Sequence, residues 1–114
     1  MVKVPLVPTI SERQFLAWVI ELAQANGWLV HHALPAMSKR GRWATWQLGA
    51  SGFPDLVLLH PSGQVLVAEL KVGRNGPTRS QEKWLDAFRA AGIEAHLWRW
   101  AKDRKAIQLR LTVI

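Results

Sequence analysis

Charged side chains stand at the ends of two apolar segments that otherwise resemble buried strands. Asp55 precedes the apolar run that ends at His60, and Glu69 and Lys71 close the segment 64–71. A charge in a low-dielectric interior is costly unless it is paired or coordinates a metal ion. Carboxylate oxygens are ligands that suit Mg²⁺ and Mn²⁺, so the two acids predict a divalent metal site with an amine beside it.

The turn between the two segments decides whether the acids meet. Residues 61–63 have the sequence Pro-Ser-Gly, a hairpin signature, and a three-residue loop would pair His60 with Gln64. Asp55 then lies directly opposite Glu69. Directly opposed Cβ atoms are about 4.5 to 5.5 Å apart, so the two carboxylates repel each other unless a cation lies between them.

The position of Lys71 follows from the same register. Side chains alternate between the two faces of a strand, so Lys71 shares the face of Glu69. A two-residue loop would instead pair Asp55 with Leu70 and would place Glu69 on the opposite face. The predicted metal site therefore depends on the length of one turn.

Each of two predicted helices carries a polar residue in its first turn, on the side of its apolar stripe. Glu12 heads the stripe of the first helix and Gln81 that of the second, at about 100° per residue. Both helices begin with a capping-box pattern, at Ser11 and at Thr78. Gln81 therefore has a structural explanation as the partner of Thr78, and Glu12 has one as a complement to the helix dipole. The alternative is that both belong to a polar site shared with the strands.

The remaining elements predict a small mixed α/β domain. The segments 55–60 and 64–71 are apolar on both faces, which predicts positions inside the sheet. Residues 1–10 are predicted as an N-terminal arm and residues 11–114 as a single domain, in the order helix, three strands, helix, two strands. The predicted ranges are 11–26 and 78–91 for the helices, 28–33, 55–60, 64–71, 93–100 and 106–113 for the strands, and 34–51 for a long loop.

The composition favours a nucleic-acid partner. Fifteen Lys and Arg against eight Asp and Glu give a net charge of +7 over 114 residues, and a basic domain of this size most often binds a polyanion. The alternative is a basic subunit of a larger assembly. The absence of Cys excludes disulfides and thiol nucleophiles. The chain has neither an apolar run of about 18 residues nor a signal-peptide pattern, so a cytoplasmic location is expected.

The loop 34–51 interleaves basic and aromatic residues, which suits phosphate contact together with stacking on unpaired bases. The alternative is a loop that folds back over apolar surface. Its candidate nucleic-acid contacts are Lys39, Arg40, Arg42, Trp43 and Trp46. Further candidate phosphate contacts are Arg74, Arg79, Lys102, Arg104 and Lys105. No recognition-helix or finger pattern is visible, which favours binding without base reading.

The histidines and the other tryptophans are predicted to have structural roles. Two of the four histidines are adjacent, on opposite strand faces, and two stand alone, so they form no metal-ligand cluster. Only His31 or His32 could lie near the site. Positions expected for core or subunit packing are those of Trp18, Trp28, Trp84 and Trp98.

Several segments together resemble a known family. Pro54-Asp55, thirteen residues and then Glu69-Leu70-Lys71 resemble the signature of the PD-(D/E)xK nuclease superfamily. More narrowly, "SERQF", "GASGFPDLVLL", "VLVAELKVG" and "TRSQEKWLDAFRAAG" resemble the VRR-Nuc family, in its short stand-alone form from phages and bacteria. The resemblance spans roughly residues 11–100 and implies a restriction-endonuclease-like core.

The resemblance also implies roles for individual residues. The implied metal ligands are Asp55, Glu69, the backbone carbonyl of Leu70, and Glu12. Lys71 would orient the attacking water or stabilise the transition state. The remaining match is Gln81, which falls on the glutamine motif of the family and would orient groups at the site.

The implied activity is that of an endonuclease that uses Mg²⁺ or Mn²⁺ to hydrolyse DNA with an activated water. Stand-alone members act on branched DNA, four-way (Holliday) junctions especially, and paired cuts require two sites, which a C₂ homodimer supplies. The host would be a bacterial or phage-infected cell. Two alternatives remain open: a nucleic-acid-binding module that does not cut, and a nuclease that acts on linear duplex DNA or on RNA.

Overall fold

The computed structural model describes residues 9–32, 36–37, 43–44 and 51–114, the two dipeptides by backbone alone. The helices in this part of the chain are α1 (Glu12–Ala25), α2 (Arg79–Ala90) and α3 (Trp100–Thr112). The strands are β1 (Leu29–His32), β2 (Ala36–Met37), β3 (Trp43–Ala44), β4 (Leu56–His60), β5 (Gln64–Lys71) and β6 (Glu94–Arg99). No helix among the described residues is long and apolar enough to cross a membrane.

Both predicted capping boxes are confirmed. The Ser11 hydroxyl accepts from the Gln14 N–H at 3.1 Å, and the Gln14 side chain accepts from the Ser11 N–H at 2.8 Å. Thr78 and Gln81 make the same reciprocal pair at the start of α2. Each cap pairs backbone N–H donors that the first helical turn leaves without a partner. Such a cap stabilises a helix by about 1 kcal/mol. The starts of α1 and α2 are therefore determined by local sequence.

The strands form one mixed sheet in the order β1-β4-β5-β6, beside a separate β2-β3 pair. β4 and β5 are antiparallel, and His60 pairs with Gln64 across a three-residue turn, as predicted. β6 is parallel to β5 and is reached through α2. The predicted central positions of β4 and β5 are confirmed.

Helices cover both faces of the sheet. α1 and α3 pack on one face, where the core includes Phe15, Leu56, Leu70 and Ile107, all with no exposed surface. α2 covers the other face through Leu85, Phe88 and a smaller cluster around Val67 and Ala95. Of the tryptophans predicted to pack internally, Trp28 and Trp98 are buried, and Trp18 and Trp84 are partly buried.

The prediction of a final strand at 106–113 is wrong, because these residues form the second half of α3. Alternating apolar residues at 107, 109, 111 and 113 suggested a strand, but only Ile107 and Leu111 are buried. Leu109 and Val113 are exposed, at 65% and 62%. A spacing of four residues puts Ile107 and Leu111 on one side of a helix, so the true period is helical.

The predicted loop 34–51 contains the short antiparallel pair of β2 and β3, in which Met37 is opposite Trp43. The prediction of a mainly irregular segment is corrected to that extent. The candidate DNA contacts Lys39, Arg40, Arg42 and Trp46 lie outside the described residues, and Trp43 is described by its backbone alone.

An ion pair joins the C-terminal part of α3 to the start of β6. Arg110 donates from Nε and Nη2 to the two carboxylate oxygens of Glu94, at 2.7 and 2.9 Å, and His96 Nε2 lies 2.6 Å from Oε2 of Glu94. The hydrogen bonds from Arg110 hold the pKa of Glu94 below its usual value of 4.5; burial opposes this, and the bond from His96 adds to it. A carboxyl whose pKa is lowered on folding stabilises the protein above the unfolded pKa and loses that contribution as the pH falls.

Glu94→Gln is therefore expected to lower the free energy of unfolding by about 1 kcal/mol or less at neutral pH. The difference from the wild type should shrink as the pH falls below about 4.5, because the carboxylate takes up a proton first in the unfolded chain and, at lower pH, in the folded protein too. Thermal unfolding at a series of pH values measures this. Glu21→Gln, at an exposed position in α1, is the control and should show no such pH dependence. A difference in stability between Glu94→Gln and the wild type that stays constant with pH would contradict a stabilising role of the ionised Glu94 carboxylate.

Candidate active site

β5 extends past the end of β4, which leaves an open position beside its last residues. β4 begins at Leu56, opposite Ala68, whereas residues 69–71 continue to pair with β6 on their other side. The side chain of Asp55 occupies the open position, and its Oδ2 accepts from the N–H of Leu70 at 2.9 Å. A carboxylate thus replaces the missing strand at this end of β5.

Three carboxylates meet at this position. Oxygen atoms of Glu12, Asp55 and Glu69 all lie within 4.8 Å of one another. Glu12 is exposed at the first turn of α1, Asp55 is partly buried, and Glu69 is only 2% exposed. The predicted meeting of Asp55 and Glu69 is confirmed, and the first helix does bring Glu12 to the same place.

Glu69 is the most strongly perturbed acid of the cluster. Burial, the hydrogen bond with Asp55 and the negative charge of Asp55 together raise the pKa of Glu69 from 4.5 to about 9, and Lys71 opposes this only in part. Without a cation, burial and the neighbouring Asp55 therefore favour the protonated form of Glu69. Its buried Oε2 has no hydrogen-bond partner among the described residues. A carboxyl group in this state binds a divalent cation in exchange for its proton.

The donor set fits a hard divalent cation. Three carboxylates converge, and such oxygens are the ligands that Mg²⁺ and Mn²⁺ take in proteins. The carbonyl of Leu70 is expected on the same side, because the N–H and C=O of one strand residue point to the same edge and the N–H reaches Asp55. The cluster is therefore consistent with a metal site.

Lys71 is placed beside the acids by strand alternation. It is partly buried, lies two residues after Glu69, and its charge lowers the pKa of that residue. Its strand partner Arg99 donates to the carbonyls of Gly73 and Asn75, at 3.3 and 2.9 Å. These bonds hold the loop that follows Lys71.

Gln81 is found in its capping role. Its Oε1 accepts from the N–H of Thr78 at 2.9 Å, and its own N–H donates to the Thr78 hydroxyl at 3.1 Å. Arg74 and Arg79 are exposed on the loop after β5 and at the start of α2, close in sequence to Lys71. Their predicted phosphate contacts, and a role of Gln81 in the reaction, remain predictions.

His32 contacts the site in a way that the sequence did not specify. Its Nδ1 lies 3.1 Å from the backbone carbonyl of Asp55, so this nitrogen carries the proton and donates. The contact stabilises the backbone where β4 begins. The other histidines lie elsewhere: His31 is exposed, His60 contacts Ser62 and Asn26, and His96 contacts Glu94.

The segment before Asp55 docks on the first turn of α2. The carbonyl of Ser51 accepts from the Ser80 hydroxyl at 2.5 Å and from Nε1 of Trp84 at 3.1 Å. Gly52 has a φ of +84°, and a Cβ at this position would lie 2.6 Å from the carbonyl carbon of Ser80 and 2.7 Å from the N of Gln81. Only glycine allows both this backbone conformation and this approach.

Gly52→Ala is expected to lower the free energy of unfolding by more than about 2 kcal/mol, because the strain of a positive φ adds to a clash with backbone. Gly63 also has a positive φ, but an added Cβ would meet open space, so Gly63→Ala should lower the free energy of unfolding only by the cost of the backbone strain. Gly76→Ala has open space and no left-handed φ, so its effect should be small. Chemical unfolding of the three variants measures the order. Equal losses at positions 52 and 63 would show that the docking contact contributes nothing.

Comparison with known proteins agrees with this architecture. A family model described as VRR-NUC domain matches residues 9–101, a range that includes the acid cluster and Lys71. A solved structure titled "VRR_NUC domain" is similar, with a TM-score of 0.63 and 23% sequence identity, over 90% of this chain and 97% of that chain. No curated protein sequence matches. The structural likeness, at this identity, shows that the fold is shared.

Proposed function

This chain belongs to the VRR-NUC domain family, and from that premise we propose that it is a Mg²⁺-dependent DNA endonuclease. Membership of the family implies nuclease activity. The observation that carries the proposal is the cluster of Glu12, Asp55 and Glu69 at the open end of β5, with Lys71 beside it. Mn²⁺ would suit the same oxygen ligands.

The acids would hold the metal ion, and the other residues would prepare the site for a phosphodiester. Bound Mg²⁺ would lower the pKa of a water and offset negative charge on the scissile phosphate. The N–H of Leu70 orients the Asp55 carboxylate, and His32 fixes the backbone behind it. Lys71 would donate a hydrogen bond to a phosphate oxygen as negative charge develops. Water is the nucleophile, so no covalent intermediate forms on the protein.

The proposed substrate is branched DNA, with four-way junctions first. The net charge of +7 favours a polyanion, and the exposed Arg74 and Arg79 would contact phosphates near the cut. Gln81 would assist at the site from the start of α2. The proposed location is the cytoplasm of a bacterial or phage-infected cell.

Paired cuts in a four-way junction need two active sites, which a C₂ homodimer would supply. Exposed Leu29, Leu59 and Val65 are neighbours across β1, β4 and β5, so they form an apolar row on the sheet surface. A second copy could cover this row. Light scattering on the purified protein measures its molar mass, and a monomer at cleavage concentrations would contradict the homodimer.

A panel of labelled substrates tests the activity and its substrate class together. The purified protein is incubated with a four-way junction, a flap, a linear duplex and RNA, each in Mg²⁺, in Mn²⁺ and in EDTA. We expect cleavage of the junction with either metal and none in EDTA. Failure to cut any substrate would leave only the non-cleaving binding module. Faster cutting of linear duplex or RNA would overturn the choice of branched DNA.

A further inference from the structure

A cavity of about 250 Å³ opens between α1 and α3, separate from the acid cluster. It is lined by Trp18 of α1 and by Trp100, Arg104, Lys105 and Gln108 of α3. Among these described residues there are two cations, two indole rings and no acid. Aromatic faces beside cationic groups are the combination with which proteins bind unpaired nucleotides.

The aromatic walls are rigidly supported. The rings of Trp18 and Trp100 meet at 89°, with centroids 5.4 Å apart. The fully buried ring of Phe15 packs against both, at 6.4 Å from Trp18 and 5.6 Å from Trp100. The two indoles therefore form a fixed corner, and little side-chain freedom would be lost when a flat ring stacks on it.

The cationic wall is formed by Arg104 and Lys105. The guanidinium carbon of Arg104 lies 4.8 Å from the centroid of the Trp100 ring, and Nε is buried without a hydrogen-bond partner in the described part of the chain. A guanidinium cannot lose its charge, and phosphate is an acceptor that it binds well. Lys105 is exposed at the same cavity. Both cations are suited to an anionic ligand.

The cavity lies within reach of the acid cluster. Trp18 is six residues after Glu12 on α1, about 9 Å further along the helix axis at 1.5 Å per residue and about 120° around that axis at 100° per residue. DNA advances by about 3.4 Å per nucleotide along one strand, so the axial rise alone spans two or three nucleotides and the full separation spans a few more. Trp100 follows Arg99, the strand partner of Lys71. A strand cut at the acids could therefore place a nearby nucleotide in the cavity.

We propose that this cavity binds one unpaired nucleotide of the DNA substrate, an inference that rests on the function proposed above. The base stacks on the Trp18 ring with its edge toward Trp100, and its phosphate contacts Arg104 and Lys105. The volume is below the range of about 300 to 1,000 Å³ that holds a drug-sized molecule, which favours a single base. Fully paired duplex offers no such base. A branch point can supply such a base where its central base pairs open, so the preferred substrate is a junction or flap with unpaired nucleotides a few positions from the cut.

The test compares two labelled oligomers of equal length and charge in EDTA, an oligothymidylate of about eight nucleotides and its fully abasic analogue. Fluorescence anisotropy should show that the wild type binds the thymidylate about 5- to 150-fold more tightly. Trp18→Leu should remove that preference, and Trp18→Phe should largely retain it. Equal binding of both oligomers by the wild type, or a preference that survives in Trp18→Leu, would overturn the proposal.

A surface variant keeps the test decisive if Trp18→Leu folds poorly. Lys105→Gln should reduce the slope of log Kd against log salt concentration for the thymidylate by about 0.7, the value for one lost phosphate contact. Lys83→Gln, at an exposed position on α2, should leave the slope unchanged. An unchanged slope in Lys105→Gln would count against the site.

The two proposals fail separately. Mg²⁺-dependent cleavage without any preference for bases would reject the nucleotide cavity alone. A base preference in a protein that cuts nothing would reject the nuclease function and leave a binding site for unpaired nucleotides.

Discussion

Asp55→Asn is expected to reduce Mg²⁺-dependent cleavage by at least about 100-fold, since it removes a charge on which the proposed metal site depends. The substitution is nearly isosteric. The amide oxygen of Asn can still accept from the N–H of Leu70, the bond that Asp55 makes at 2.9 Å. The open end of β5 should therefore keep its shape. DNA binding in EDTA should stay within a few-fold of the wild type, because it depends on the Lys and Arg side chains and these are unchanged.

A readout that does not involve cleavage strengthens this prediction. Mg²⁺ or Mn²⁺ should raise the melting temperature of the wild type, because a ligand that binds only the folded state stabilises it. Asp55→Asn should lose most of that rise. Without metal the variant should melt close to the wild type, because the amide oxygen can keep the hydrogen bond from the N–H of Leu70.

Asp86→Asn is the matched control. Asp86 is an exposed acid on α2 that pairs only with Arg89 among the residues described, at 3.2 Å. This variant should cut DNA and respond to metal as the wild type does. If Asp55→Asn cut within a few-fold of the control, Asp55 would have no role as a metal ligand.

Much of the site could be predicted because it is specified by contacts that are close in the chain. The turn 61–63 sets the register of the hairpin, and this register brings Asp55 to Glu69. The capping pattern at Ser11 fixes where α1 begins and hence places Glu12 in the first turn. Each of these features depends on a few neighbouring residues whose geometry is well known.

The missed contacts depend on residues that are distant in the chain. His32 bonds to a backbone carbonyl 23 positions away, and a backbone acceptor leaves no signature in the sequence. Ser51 likewise accepts from Ser80 and Trp84, 29 and 33 positions later. A glycine before the Pro54-Asp55 motif was visible, but the surface that it approaches is assembled only by folding. The residues that carry the chemistry of the site were therefore easier to predict than the contacts that hold the backbone around Asp55.

The error at 106–113 has a different cause. Alternation at positions 107, 109, 111 and 113 matches a strand, and the pair 107 and 111 also matches a helix, so a short segment satisfies both periods. The preceding residues 101–106 contain neither Gly nor Pro to end a helix that starts at Trp100. Asp103 also accepts from the N–H of Arg99 at 2.8 Å, a cap for that helix. Residues 106–112 are therefore helical because they continue the helix that starts at Trp100.

Leu111→Ala is expected to lower the free energy of unfolding by about 2 to 5 kcal/mol, the cost of a cavity left by a fully buried leucine. Leu111 has no exposed surface and belongs to the core between α1, α3 and the sheet. A small domain is stable by only about 5 to 15 kcal/mol, so this variant should unfold at much lower denaturant concentration.

Leu109→Ala is the control, and it separates the two structures that the sequence allowed. A strand would put Leu109 and Leu111 on the same face, so the two truncations should cost similar amounts. In α3 the side chain of Leu109 is 65% exposed and that of Leu111 is buried, so the first truncation should change the free energy by no more than about 0.5 kcal/mol. Urea unfolding of both variants measures the contrast. Similar losses would mean that α3 does not pack as described, and the Trp100 wall of the nucleotide cavity would lose its support as well.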